Sequence, residues 1–322
     1  MRRLAIISTG GTIAMAAQGR RGADLALTGP DLAAGLKLDD VEVVVSQPFS
    51  RPSASIGPEE LRSLAAAAME AARTCDGVVI THGTDTLEET AFSLFLQAPG
   101  PAPVVLTGAM RHADAPGADG PANLAAAART ALSAAARDLG VLVVMGDEIH
   151  SAAYARKVNA SRVNAFSSAP LGPLGWVTED RVRVLLRPTF RSPALAWGPA
   201  TPRVPVVALA GGDEASWLET VAASADGLVV SLMGGGHAPD HLAARLGEIA
   251  RTLPVVFASR TGGGETLRTS YAYAGGEIDL LDRGLIGAGF LDAPKARIAL
   301  TLLQSGGAGT QGVRDWFGSL AA

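Results

Sequence analysis

What most limits the fold of this chain is an alternation between two kinds of segment. Short apolar runs stand at RLAII (3–7), VEVVV (41–45), GVVIT (77–81), PVVLT (103–107) and GVLVVM (140–145). They recur at VPVVALA (204–210), GLVVSLM (227–233) and PVVFAS (254–259). Between them lie longer, alanine-rich stretches with helical periodicity, which predict helices over 58–73, 86–97, 121–137, 215–224, 239–252 and 293–304. Several runs lack polar alternation, as strands covered on both faces do, and the intervening helices supply the crossovers that parallel strands need. The fold class is α/β, with two wound domains. The larger N-terminal domain has a mainly parallel sheet, and the smaller C-terminal one is also parallel α/β. LLRPTFRSPALAWGPATPRVP (185–205) carries five prolines and no sustained period. The expected boundaries are therefore 1–190, a linker at 191–204, and 205–322.

Composition narrows the function. The 322 residues are 48% hydrophobic, 18% charged and carry a formal net charge of −4. No basic field is available for nucleic acid or anionic lipid, so a small-molecule role is favoured. Cys75 is the single cysteine, which rules out an intrachain disulfide or multi-cysteine metal site and fits a reducing compartment. The apolar stretch in MRRLAIISTGG is too short for a signal segment and runs into Gly10 and Gly11, so the expected location is cytoplasmic. No uncharged apolar stretch is long enough to predict a membrane span. His237 and His241 are four apart, but Pro239 lies between them and the H-E-x-x-H pattern fails. No metal and no cofactor are expected. The glycines at 234–236 read as a strand-to-helix turn, not a nucleotide loop.

Polar breaks follow the strand runs at STGGTIA, HGTDT and GAMR. In open α/β sheets ligands bind at the strands' carboxyl ends, so these loops are expected to converge on one cleft. Thr86 and Glu89 match a capping box, and Asp85 with Glu88 makes a weaker capping pattern one residue earlier. Thr84 has no evident structural task. Thr12 follows Gly10 and Gly11 and would present a hydroxyl over a glycine floor, although a turn without chemistry remains the commoner meaning of such a stretch. His82 is expected to hydrogen-bond the loop backbone, Arg111 to pair with Asp114 or Asp119, and Cys75 to pack.

TGGTIA and THGTDTLEETA, in this order, resemble the two signatures of the bacterial-type L-asparaginase (asparaginase/glutaminase) family. The similarity continues through GAMRHADAPGADGPANL, GVLVVMGDEIHSA, LGPLGW and APKAR. The resemblance implies that Thr12 is the nucleophile and that Thr84, Asp85 and Lys157 complete the catalytic set. It implies that Ser53 holds the substrate α-carboxylate, Asp85 its ammonium group, and Ala109 contributes only main chain. Glu277, eighteen residues before the lysine of APKAR, falls on an acid donated by a neighbouring subunit. A homodimer or homotetramer with sites at subunit interfaces follows. The implied reaction is hydrolysis of L-asparagine to L-aspartate and ammonia through an acyl-threonine ester. The alternatives are an amidase on glutamine, D-asparagine or another small amide, and a silent amino-acid-binding protein.

Residue chemistry agrees with that implication. An amide is a poor electrophile, and covalent catalysis splits its hydrolysis into two easier steps. Gly11 and Gly83 leave main-chain amides unobstructed for a developing oxyanion. A lysine takes a proton only in its neutral form, whereas a neighbouring carboxylate favours the charged one. Either Thr84 relays the proton or the pair acts by positioning. Three departures stand out. The lid segment MAAQGRRGADLALTGPDL has no tyrosine, the only ones being Tyr154, Tyr271 and Tyr273. Ala54 replaces a usual glutamine beside Ser53. Gly235 and His237 stand where asparagine is common.

Overall fold

Each apolar run becomes a strand. In the computed structural model, residues 1–17, 21–190 and 192–320 are described. Gln18, Gly19 and Arg20 of the expected lid, and Arg191 at the head of the expected linker, lie outside them. The chain divides into two compact units, Met1–Arg191 and Ser192–Ala322.

The first unit carries β1 (Arg2–Ser8), β2 (Met15–Ala16), β3 (Asp24–Leu25), β4 (Val41–Ser46), β5 (Gly77–Thr81), β6 (Val104–Thr107), β7 (Val141–Met145) and β8 (Glu148–Ser151). They are followed by β9 (Arg156–Lys157), β10 (Phe166–Ser167), β11 (Gly175–Thr178) and β12 (Arg181–Val184). Its helices are α1 (Gly29–Ala34), α2 (Pro58–Thr74), α3 (Leu87–Gln97) and α4 (Gly120–Ala131). The main sheet has eight strands in the order β12-β11-β8-β7-β6-β5-β1-β4. Strands β4, β1, β5, β6 and β7 run parallel. Strands β8, β11 and β12 continue the sheet antiparallel. Full burial of β5, β6 and β7 explains their unbroken apolar sequences. The edge strand β4 alternates half-buried and exposed residues, because only one of its faces is covered.

The second unit carries β13 (Val206–Ala208), α5 (Leu218–Ala222), β14 (Leu228–Leu232), α6 (Asp240–Ala250) and β15 (Val255–Ser259). It ends with α7 (Glu277–Asp282), β16 (Ile286–Gly287), α8 (Ala293–Ser305) and α9 (Thr310–Ser319). Its four strands are parallel in the order β13-β14-β15-β16. Leu228, Val230, Leu242, Leu246 and Phe257 form part of its core.

Two helices differ from expectation. The helix predicted over 121–137 stops at Ala131, because Ser133 turns extended and its hydroxyl accepts the Ala135 N–H, starting a separate turn. The helix predicted over 215–224 shortens to Leu218–Ala222, since Asp213 captures the Ala215 N–H and Ala215 takes a positive φ of 41°. Among the described residues no helix is long and apolar enough to cross a membrane.

The register of the parallel strands positions the site. Ser8 of β1 pairs with Thr81 of β5, and Thr81 with Thr107 of β6. The breaks that follow these strands therefore leave the sheet at one level on one edge.

Candidate functional site

The first two breaks are stitched together before any side chain enters. The Thr9 main-chain N–H and hydroxyl both donate to the Thr81 carbonyl, at 3.1 and 2.9 Å. The Arg51 N–H donates to the Thr9 carbonyl at 3.0 Å, and the His82 N–H to the Thr107 carbonyl at 2.9 Å. Gly11 sits at φ 81°, and a Cβ there would overlap the main-chain nitrogen and Cα of Gly83. A Cβ on Gly83 would in turn lie 2.6 Å from the Ser53 hydroxyl oxygen. Gly11, Gly83 and buried Ser53 thus meet at contact distances that only glycine permits. Half-buried Thr12 opens a short 3-10 turn whose next residues, Ile13 and Ala14, are buried. Among the described residues no partner engages the Thr12 hydroxyl.

Lys157 reaches the second break from the two-residue ribbon β9–β10, where it pairs with Phe166. Its Nζ donates to the Thr84 hydroxyl at 2.9 Å and to the Asp85 carboxylate at 2.7 Å. Thr84 is 4% exposed. The Lys157 and Asp85 side chains are 16% and 68% exposed, so the ion pair faces solvent on its carboxylate side. A pair this open contributes at most about 1 kcal/mol to folding. Stability gives little reason for it. The Lys157 main-chain N–H donates to the carboxylate of Glu88, in the first turn of α3. Sequence reasoning noticed Glu88 only as a capping partner for Asp85; nothing local pointed to a residue 69 positions away.

The expected capping box at Thr86 does not form. Thr86 is the N-cap of α3 without a side-chain cap hydrogen bond, and its hydroxyl donates instead to the Ser53 carbonyl at 2.9 Å. Thr86 therefore ties the second break to the segment carrying Ser53 and exposed Ala54. His82 is fully buried; its Nδ1–H donates to the Gly83 carbonyl at 2.8 Å, and Nε2 accepts from Thr90 at 3.0 Å. A carbonyl only accepts, which fixes this tautomer. Burial outweighs the Gly83 contact and lowers the imidazole pKa to about 4, so His82 is a neutral brace.

Behind the third break, buried Ala109 has its neighbours held by Asn123, which the sequence did not flag, and by Asp119, which it flagged only as a partner for the Arg111 side chain. Asn123 donates to the Gly108 carbonyl at 3.0 Å, and the Asp119 carboxylate accepts the Met110 and Arg111 N–H groups. Arg111 does not meet Asp119 through its guanidinium, which donates to the carbonyls of Pro116 and Gly117 at 3.3 and 3.0 Å.

Glu277 begins α7 in the second unit, fully buried. Its carboxylate accepts the Ser270 and Tyr271 N–H groups at 2.7 and 2.8 Å, and His237 Nε2 lies 3.2 Å away. Burial pushes this carboxyl up, but the Tyr271, Ser270 and His237 contacts together hold it below its ordinary range. Tyr271 and Tyr273 pack edge-on against the His237 ring. His241 turns elsewhere, to the Asp213 carbonyl at 2.9 Å.

A buried threonine bridged to an aspartate by a lysine, beside a half-buried threonine on a glycine turn, suits acyl transfer to a hydroxyl. Comparison with known proteins identifies the family. Residues 3–190 match the family model described as "Asparaginase, N-terminal", and residues 203–317 match "Glutaminase/Asparaginase C-terminal domain". A protein of Deinococcus radiodurans named "Probable L-asparaginase" is 41% identical over 98% of this chain and 97% of its own length. The "L-asparaginase" of Bacillus licheniformis is 33% identical over 98% of this chain and 99% of its own length. The "Glutaminase-asparaginase" of Pseudomonas aeruginosa is 32% identical over 85% of this chain and 76% of its own length.

Proposed function

This chain belongs to the asparaginase family, and on that premise we propose that it hydrolyses L-asparagine to L-aspartate and ammonia through an acyl ester on Thr12. The observation that carries the reading is the contact of Lys157 Nζ with both Thr84 and Asp85. The Thr12 hydroxyl attacks the side-chain amide carbon, giving a tetrahedral oxyanion. Its proton passes towards Thr84 and Lys157 and leaves with the amine as ammonia. Water then attacks the ester, releasing aspartate and restoring Thr12. Thr84 accepts from Lys157, which leaves its own hydrogen and its second lone pair for the neighbouring proton transfer. Main-chain amides at Gly11 and Gly83 are the candidate oxyanion donors; losing one such donor costs about 10²–10³ in rate.

Ser53 takes the substrate α-carboxylate and Asp85 its ammonium group. Support comes from the Gly11–Gly83–Ser53 junction, where Ser53 is buried yet bounded by the two glycine breaks. Ala54 is exposed and offers no hydrogen-bonding group. Glu277 serves the site of a neighbouring subunit in a dimer or tetramer, with 1–190 supplying the catalytic loops and 205–322 supplying Glu277. Its three-point cradle is consistent with a carboxylate held for a partner. Cys75, a lone half-buried thiol, fits a cytoplasmic setting.

The test is ammonia release from L-asparagine and L-glutamine at matched concentrations, with mass spectrometry of the quenched protein. Saturable release from asparagine and an acyl adduct on the peptide bearing Thr12 are expected. Thr12→Ala should reduce release to below about 10⁻³ of the parent rate. Turnover of glutamine alone would move the substrate, and absence of turnover on either amide by folded protein would overturn the reading.

A further inference from the structure

A cavity of about 150 Å³ lies in the first unit just behind the turn that carries Thr12. None of Thr84, Asp85 and Lys157 lines it. Ile13 does, together with Leu27, Leu32 and Leu36 from the segment through α1, and two charged residues, Asp31 and Arg111. A pocket of this size, open to solvent where Asp31 and Arg111 are exposed, accepts a group about as large as benzene, well short of the volume a drug-sized molecule needs. The three leucines are only half-buried, so an apolar occupant would remove their remaining surface from water.

The two charges give the occupant its polar end. Arg111 is fixed by NH1, which donates to the Pro116 and Gly117 carbonyls. Among the described residues its Nε and NH2 groups have no partner, which leaves a held guanidinium able to grip a carboxylate in two places. Asp31 is fixed by one oxygen, Oδ2, which accepts the Thr28 N–H and hydroxyl at 2.8 and 2.6 Å. Its Oδ1 has no partner among the described residues and can accept from an ammonium group. One cation, one anion and an aliphatic wall facing the same small space match the chemistry of a zwitterion with a hydrocarbon side chain.

We propose that this cavity binds an aliphatic α-amino acid, its carboxylate on Arg111, its ammonium group on Asp31 and its side chain against Ile13, Leu27, Leu32 and Leu36. Occupancy is transmitted to Thr12 through short links. The Ala26 and Leu27 N–H groups donate to the Ala14 carbonyl at 2.9 and 3.0 Å, and the Ala113 N–H to the Met15 carbonyl at 2.8 Å. A ligand that holds Leu27 and Ile13 therefore holds both ends of the segment that follows the nucleophilic turn.

Equilibrium dialysis of the full chain with labelled L-leucine, in the presence of saturating L-aspartate, tests this without requiring turnover. Binding of one leucine per chain with Kd between about 0.1 and 1 mM is expected. Arg111→Gln and Asp31→Asn should each weaken it at least about tenfold, as should probes lacking one charge, 4-methylpentanoate and 3-methylbutylamine. Leu36→Trp should fill the space and abolish binding, with circular dichroism reporting that it folds; the two charge variants and the probes decide the matter if it does not. Absence of binding at about 10 mM leucine, displacement by aspartate, or indifference to both charge changes would overturn the proposal.

Discussion

Gly11 and Gly83 touch through their main chains: Gly83 fills the space a side chain on Gly11 would need, and Ser53 fills the space a side chain on Gly83 would need. Gly11 has a positive φ and abuts the Gly83 nitrogen and Cα, while Gly83 abuts the Ser53 hydroxyl. The loops after β1 and β5 are thereby locked to the segment after β4. The site's precision is backbone precision, set by sheet register and closed by glycine.

Gly11→Ala should therefore damage folding and catalysis together. It adds strain at φ 81° and a main-chain overlap with no flexible side chain to yield. A loss of roughly 2–4 kcal/mol in urea unfolding is expected. Gly22 provides the control: it also has a positive φ, of 92°, but nothing lies within 4 Å of a Cβ there. Gly22→Ala should cost only about 1 kcal/mol, for the left-handed backbone alone. Equal losses at the two positions would contradict the close approach.

Glu88 should control turnover through Lys157. Its carboxylate takes the Lys157 main-chain N–H, fixing the ribbon from which Nζ reaches Thr84 and Asp85. Glu88→Ala is expected to lower kcat at least about tenfold with KM changed less, because the amine moves relative to the reacting hydroxyl. Glu88→Gln keeps an acceptor and should recover much of the rate. A loss confined to thermal stability, with kcat intact in both variants, would reduce Glu88 to a structural tie.

Thr86 separates a capping role from a tying role. A functional N-cap hydroxyl is worth about 1 kcal/mol of helix stability. Here the hydroxyl donates to the Ser53 carbonyl. Thr86→Val should therefore leave unfolding nearly unchanged and raise KM for asparagine a few-fold, by freeing the Ser53 segment. Thr86→Ser should behave as the parent. A stability loss of about 1 kcal/mol without a KM effect would restore the capping role.

These cases show what the sequence carried. Strands β1, β5, β6 and β7 were legible because a parallel strand buried on both faces is apolar throughout. Strands β11 and β12 were missed: RVRV at 181–184 alternates correctly, but four residues before a proline-rich stretch give too short a period to separate from loop. Helix α1 has only six residues, and the Thr28–Asp31 capping box that announces it was readable but lay within the segment taken for a lid. Spacing indicated that Thr84 lacked a structural task. It could not bring in Lys157, 73 residues away, which came only through family resemblance. The second interactions of Glu88 and Thr86 were invisible for the same reason: a side chain's long-range partner leaves no local pattern.

Two buried histidines should make the fold acid-sensitive above the usual carboxylate range. Burial lowers the His82 and His150 pKa values from 6.5 to about 4. His150 lies with Nδ1 2.7 Å from the Ser168 hydroxyl and Nε2 3.4 Å from the half-exposed Glu148 carboxylate. At pH 7.5 both imidazoles are neutral, folded or unfolded, and neither contributes to the pH dependence. Between pH 6.5 and about 4 the unfolded chain binds protons that the folded chain excludes, so unfolding free energy falls with pH, by at most about 3 kcal/mol per histidine. Glu277, whose carboxyl is held low, adds its own loss only at still lower pH. Urea unfolding at pH 7.5 and 5.0 should reveal the drop, and His150→Gln should roughly halve it, leaving the share of His82, since glutamine can keep a hydrogen bond to Ser168 but does not titrate. Equal stability at the two pH values would mean that the imidazoles gain protons within the fold, with Glu148 close enough to pair with one of them.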